Sequence, residues 1–179
     1  EDLIQATKKT GFKLASEPLT GSLLRTLAAS KPSGKFFEIG TGTGIGTAWL
    51  LAGMDQKSSL ISVENDRKFI EVAQRLLSGD PRVTFRTEDA ARLIEGLPPR
   101  SFDLIFADTW AGKCTHLDET LELLKPGGIY FIDDMLPQPT WQEEHAPKVE
   151  RLIADLESRD ELTITKLNWA SGIILAAKK

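Results

Sequence analysis

A glycine-rich turn between a short apolar run and a helix-like segment constrains this chain more than any other feature. Lys35-Phe36-Phe37 leads into Glu38-Ile39-Gly40-Thr41-Gly42-Thr43-Gly44, and Thr47 to Met54 follows with helical character. Strand, glycine turn and helix in that order form a cradle for a nucleotide-type ligand. Glycine lets the backbone turn tightly and approach the ligand closely. The spacing decides which ligand. A dinucleotide fingerprint requires Gly-x-Gly-x-x-Gly. Counted from Gly40 the third glycine falls on Ile45, and counted from Gly42 it falls on Thr47. The chain reads Glu-x-Gly-x-Gly-x-Gly instead, with Glu38 two residues ahead of the first glycine. An acid there suits a ligand that carries an ammonium and a sulfonium rather than a pyrophosphate.

Strand-like and helix-like segments alternate along the rest of the chain. Phe36–Ile39, Leu60–Glu64, Val83–Thr87, Phe102–Asp108 and Gly128–Asp133 read as five strands. Leu162–Trp169 and Gly172–Ala177 add two more, joined through Ala170-Ser171 as an antiparallel hairpin. Leu19, Leu23, Leu24 and Leu27 mark a helix ahead of the first strand. Asn65 is placed to cap a helix that carries Phe69, Val72, Ala73, Leu76 and Leu77 and ends at Gly79 and Pro81. Leu117, Leu121 and Leu124 predict a helix stopped by Lys125-Pro126-Gly127-Gly128. Pro147 is placed to start another, with Val149, Leu152, Ile153 and Leu156 as its apolar stripe. This alternation predicts an α/β fold: a mostly parallel sheet with helices on both faces. The stretch 136–147, with Pro137, Pro139, Thr140 and Trp141, reads as the mobile one.

Ligands of such sheets bind outside the carboxyl ends of the strands, at the switch point. That rule selects residues. Glu64 ends the second strand about 20 residues after the glycine turn, where an acid accepts hydrogen bonds from ribose hydroxyls. Its other role is to sit favourably near a helix N-terminus beside Asn65. Asp89-Ala90 follows the third strand and either reads an adenine edge or caps the next helix. Asp108 ends the fourth strand, and Asp133 and Asp134 end the fifth. If the fourth and fifth strands are neighbours in the sheet, about 4.8 Å apart, these carboxylates converge and repel unless protons or a cation neutralise them. Oxygen ligands suit a hard divalent cation: Mg2+, Ca2+ or Mn2+. Separate helix caps or loop acids are the other reading.

A chain of 179 residues with 41% hydrophobic and 27% charged residues fits one globular domain, 1–179, with residues 1–13 as a partial or trimmed N-terminal extension. No apolar run approaches the ~18 residues that would cross a membrane. The N-terminus shows no secretory pattern and no initiating Met, so a trimmed chain is expected. The lone Cys114 leaves no intrachain disulfide or thiolate zinc site, and a reducing, cytoplasmic setting is expected. A net charge of −4 and scattered basic residues give no support for a nucleic-acid partner.

The glycine loop resembles motif I of the class I S-adenosyl-L-methionine (AdoMet) methyltransferases. From about Leu14 onward the chain is similar to the cation-dependent O-methyltransferases, the catechol and caffeoyl-CoA group. The resemblance is carried by Leu14-Ala15-Ser16-Glu17-Pro18, by Glu38-Ile39-Gly40-Thr41, and by Asp108-Thr109-Trp110 with Lys113. It continues through Leu124-Lys125-Pro126-Gly127-Gly128, Ile132-Asp133-Asp134 and Gly172-Ile173-Ile174-Leu175-Ala176. It implies a Rossmann-like class I methyltransferase fold with seven strands and a C-terminal antiparallel hairpin. It implies AdoMet held by Glu38, Gly40, Thr41, Gly42, Gly44, Glu64, Asn65, Asp89, Ala90 and Asp108. It also implies a metal held by Asp108, Asp133 and Asp134, with Lys113 and Asp108 as catalytic groups. The acceptor is then a small molecule with an aromatic hydroxyl, walled by Trp110, Met135 and Trp141, and a homodimer is an open arrangement. The chain departs from the pattern in three places. Thr43 and Ile45 stand where an aromatic is usual, Asp134 replaces Asn, and Ala111-Gly112 displaces Lys113. His145 and His116 are expected at the surface, and Cys114 as a packing residue. A metal-independent methyltransferase, one that acts on RNA, and an AdoMet-binding protein without catalysis remain the other readings.

Overall fold

The computed structural model describes residues 2–138, 141 and 143–179. Seven strands form one sheet: β1 (Lys35–Ile39), β2 (Ser59–Glu64), β3 (Val83–Thr87), β4 (Phe102–Ala107), β5 (Leu124–Ile132), β6 (Leu162–Leu167) and β7 (Ile173–Lys178). Their order is β3-β2-β1-β4-β5-β7-β6. The first five run parallel, and β7 lies antiparallel between β5 and β6. The expected hairpin is therefore present, and β7 is the reversed strand.

Alternation along each strand sends neighbouring side chains to opposite faces. Phe37, Ile39, Ile105, Tyr130 and Ile132 pack with one layer of helices: α5 (Ala90–Gly96), α6 (Leu117–Glu122) and α7 (His145–Glu157). Phe36, Leu104, Phe106 and Phe131 face the other, where α2 (Pro18–Ala29) and α3 (Ile45–Gly53) lie. Phe36, Phe37, Phe106, Tyr130 and Phe131 are fully buried. Burying such rings stabilises by about 1.5–3 kcal/mol each on area arguments. The flat central strands are therefore rigid posts for the loops at their ends.

Three expectations need correction. The helix after β2, α4 (Arg67–Leu77), is capped by Asp66, which accepts from the Lys68 N–H at 2.8 Å, and not by Asn65. Asp66 sits one residue nearer the first turn, where its short side chain reaches the orphan donor. α6 ends at Glu122, and Leu124 begins β5 opposite Phe102. Pro126-Gly127-Gly128 is thus a bulged stretch of strand, not a helix stop. α7 begins at His145, two residues ahead of Pro147. A further helix, α1 (Asp2–Thr10), forms in the stretch read as an extension. Of the stretch read as mobile, Pro139 and Thr140 lie outside the described residues.

Candidate active site

The strand order reverses between β1 and β4, and the cleft opens above their carboxyl ends. The loop after β1 is anchored by two backbone bonds to β2: Gly40 and Thr41 N–H both donate to Val63 O at 3.0 Å. The loop after β4 begins with Asp108 N–H donating to Ile39 O at 2.9 Å. These bonds stitch both loops to the sheet, so one cavity of about 520 Å³ runs between them.

At one end the cavity is lined by Gly40, Thr41, Gly42, Glu64 and Asn65. Gly40 has φ +104°, and a Cβ there would lie 2.4 Å from Thr109 Cγ2. Only glycine allows the backbone this conformation and this approach. The Glu64 carboxylate accepts from Gly42 N–H at 2.9 Å with one oxygen, and from Asn65 and Asp66 N–H at 3.0 Å with the other. The Oε2 oxygen, with one donor, keeps a lone pair for a hydroxyl donor. Leu14, Ala15, Ser16 and Glu17, together with Phe12, close the same end.

Four residues expected to hold the ligand lie off the cavity wall. Glu38 is fully buried behind the loop and is absent from the cavity wall. Its Oε2 accepts from Ser62 Oγ at 2.5 Å and from Thr47 Oγ1, and its Oε1 has no partner. Burial pushes its carboxyl up to about 8 against the two hydroxyl donors. Gly44 turns the chain into α3 and packs on α4, where a Cβ would lie 2.8 Å from Ala73 Cβ. Asp89 caps α5, accepting from Ala91 N–H at 2.8 Å, and neither it nor Ala90 lines the cavity. The free N–H groups of its own helix were the nearer donors.

At the other end stand Asp108, Asp133, Asp134, Lys113, Trp110, Met135 and His145. The sheet brings all three aspartates to one wall, as the sequence implies. Lys113 Nζ donates to the Asp133 carbonyl at 2.7 Å and lies 3.7 Å from Asp108 Oδ1. Burial pushes Asp108 up to about 7, opposed by Lys113 and reinforced by the two other aspartates. Burial also raises Asp133, whose Oδ1 accepts from Ser171 Oγ at 2.7 Å and Asp134 N–H at 2.9 Å. Asp134 Oδ2 accepts from Trp141 Nε1 at 3.0 Å.

Trp141 is thereby drawn off the wall. It stacks on His145 with ring centroids 4.0 Å apart, and His145 in turn meets Trp110 at 4.6 Å. His145, expected at the surface, lines the cavity. His116 precedes α6 with φ +57° and lies 3.4 Å from Glu95. Phe12, Gln138 and Ser171 also line the wall, outside the set of residues expected there. Ser171 alone carried a signal, as part of a turn at a strand end.

The donor set is a poor fit to a divalent ion as it stands. Among the described residues, no group of three or more His, Cys, Asp or Glu is arranged to hold a metal. Asp133 Oδ1 and Asp134 Oδ2 turn to separate donors, and the Lys113 ammonium lies 3.7 Å from Asp108 Oδ1. The cradle, by contrast, fits AdoMet: a glycine-lined backbone faces an acid with one oxygen open to a further donor.

The model of the methyltransferase domain matches residues 37–135, which span the glycine loop, both strand-end loops and Met135. The chain belongs to this family. It is a class I AdoMet-dependent methyltransferase. A Mycolicibacterium vanbaalenii protein named "Putative O-methyltransferase" is 25% identical over 174 residues, covering 92% of this chain and 77% of that protein. A crystal structure of a protein so described from Klebsiella pneumoniae aligns with a TM-score of 0.84 at 25% identity, over 99% of this chain and 88% of that one. The O-methyltransferase TomG of Streptomyces achromogenes, solved in complex with SAM, aligns with a TM-score of 0.84 at 24% identity, over 99% and 87%. Among the described residues, no helix of this methyltransferase is long and apolar enough to cross a membrane.

Proposed function

We propose that this methyltransferase acts on a hydroxyl oxygen of a small aromatic acceptor. One observation carries the reading: the glycine cradle and the Asp108–Lys113–Trp110 cluster line one cavity. The names of the relatives support oxygen as the acceptor atom. AdoMet, when bound, supplies a methyl already activated by its sulfonium. Thr41, Gly42, Glu64 and Asn65 hold it, with Ser16 and Phe12 closing that end.

The remaining work belongs to the protein. A phenolic hydroxyl, with a pKa of about 10, keeps its proton near neutrality. Asp108, raised to about 7, is matched to accept that proton. Lys113 sets a positive charge beside the oxygen that becomes anionic. Trp110 and His145 offer flat faces for an aromatic ring. A divalent cation that acidifies the hydroxyl is the route the sequence suggested. The present donor arrangement does not fit it, and no step here uses one.

The test is transfer from radiolabelled AdoMet to a panel of mono- and diphenols. At least one diphenol should be labelled. Asp108→Asn should lower kcat roughly 10²- to 10⁴-fold with AdoMet affinity nearly unchanged. A chain that binds AdoMet yet labels no phenol would overturn the acceptor assignment.

A further inference from the structure

Three carboxylates meet at the ends of β4 and β5, and the positive charge that meets them is part of the chain. We propose that the Lys113 ammonium is the resident cation of this cluster, standing in the place of a divalent metal, and that the cluster binds no divalent ion while Lys113 is present. The proposal rests on the methyltransferase reading above and deepens it.

The ammonium is fixed rather than merely nearby. It donates to the Asp133 carbonyl at 2.7 Å, lies 3.7 Å from Asp108 Oδ1, and its side chain is only 11% exposed. The loop that delivers it is pinned from several sides. Lys113 and Cys114 N–H both donate to Trp110 O, at 3.2 and 2.8 Å. Gly112 N–H donates to Thr115 O at 2.7 Å, and the buried Tyr130 hydroxyl donates to Gly112 O from the sheet below. Gly112 has φ +84°, and a Cβ there would lie 2.8 Å from Ile39 Cδ1. The Ala111-Gly112 pair that displaces Lys113 in sequence therefore forms the turn that folds it back over Asp133.

Two carboxylate oxygens of the cluster are already committed to donors of the chain. Asp133 Oδ1 accepts from Ser171 Oγ and Asp134 N–H, and Asp134 Oδ2 from Trp141 Nε1. Mg2+ demands near-octahedral oxygen ligands at about 2.0–2.1 Å, and Ca2+ takes six to eight. An ion that drew on those two oxygens would compete with their donors, and either ion would sit near a largely buried ammonium. Like charges at that depth repel with little screening. A Lys ammonium needs only a few acceptors at ordinary hydrogen-bond distance, and the Asp133 carbonyl supplies one at 2.7 Å.

Mn2+ titration followed by electron paramagnetic resonance tests this on the full chain. The wild-type chain should show no stoichiometric binding below about 1 mM, weaker than ordinary protein sites for hard cations. Lys113→Met should gain one Mn2+ per chain, at least about tenfold tighter than wild type, and adding Asp108→Asn should remove it. Lys113→Gln covers the case in which the methionine variant does not fold. One Mn2+ bound per wild-type chain, lost in Asp108→Asn, overturns the proposal. So does a folded Lys113 variant that gains no Mn2+, because the carboxylates then form no cation site to be filled. S-adenosylhomocysteine affinity is measured separately on the same samples. Its absence in the wild-type chain sinks the cofactor reading and leaves the Mn2+ result standing.

Discussion

Glu38 shows how one residue serves the site without touching it. Its carboxyl lies under the glycine loop, joined to Thr41 through Ser62 and to α3 through Thr47. Burial holds it up to about 8, against an ordinary value of 4.5. Between those values the folded chain keeps a proton that the unfolded chain has released. Stability from this group is therefore full below pH 4.5 and is lost as pH rises through about 8. The slope cannot exceed about 1.4 kcal/mol per pH unit for a single group. Glu38→Gln removes that titration. Urea unfolding at pH 5 and pH 8 should show the wild type losing stability relative to Glu38→Gln as pH rises. A constant difference between the two proteins would mean that the buried carboxyl does not titrate in this window.

At the scale of elements, α1 and the turn after it act as a strap over the cofactor end. Thr7 Oγ1 lies 2.7 Å from Thr43 Oγ1 of the glycine loop, and Lys68 Nζ donates to Thr10 O at 3.0 Å. Phe12 packs on Phe69 of α4 at 4.6 Å and lies over Gly42, where a Cβ would meet its ring at 2.9 Å. Phe12→Ala should raise the AdoMet dissociation constant about tenfold, the loss expected for a half-buried aromatic contact, while the unfolding midpoint moves little. Calorimetric titration reads the first and denaturation the second. An unchanged dissociation constant would leave the strap without a role in binding. The sequence did not reveal this element because α1 meets the rest through Thr7, a polar residue, while Ile4 is left 52% exposed. Hydrophobic periodicity cannot find a helix that docks by a hydroxyl. Leu117, Leu121 and Leu124 misled for the opposite reason. Their spacing is helical, yet Leu124 already pairs with Phe102, and apolar periodicity does not mark where one buried element gives way to the next. The sheet was legible because its central strands β1 and β4 are largely apolar runs buried on both faces, and β3 at the edge still alternates along Val83–Thr87. The aspartates were legible by position, being the residues just beyond strands. Their partners were not, since Lys113, Ser171 and Trp141 reach them from separate loops.

For the whole molecule, the decisive arrangement is that β1 and β2 deliver the cofactor end, the glycine turn and Glu64, while β4 beside them delivers Asp108 to the other end of the same cavity. These strands carry both helical layers, since Phe36 and Leu104 face one and Phe37 and Ile105 the other. A ligand bound across their ends needs the folded sheet and finds no site on the unfolded chain, so its binding energy adds to the global stability. At a concentration a hundredfold above its dissociation constant, a ligand specific to the folded state adds about 2.7 kcal/mol. A chain of this size gains about 2–4 °C for each kcal/mol, so AdoMet or S-adenosylhomocysteine should raise Tm by about 5–11 °C. NAD at the same concentration should not, because Gly40, Gly42 and Gly44 do not have the Gly-x-Gly-x-x-Gly spacing of a dinucleotide fingerprint. The same scan on Glu64→Ala should show most of the shift gone, from a ligand-free Tm a few degrees lower because the Gly42, Asn65 and Asp66 N–H groups lose their acceptor. A dinucleotide shift equal to that of AdoMet would contradict the ligand assigned from the loop. The same shift in Glu64→Ala would mean that the acid at the end of β2 takes no part in holding the ligand.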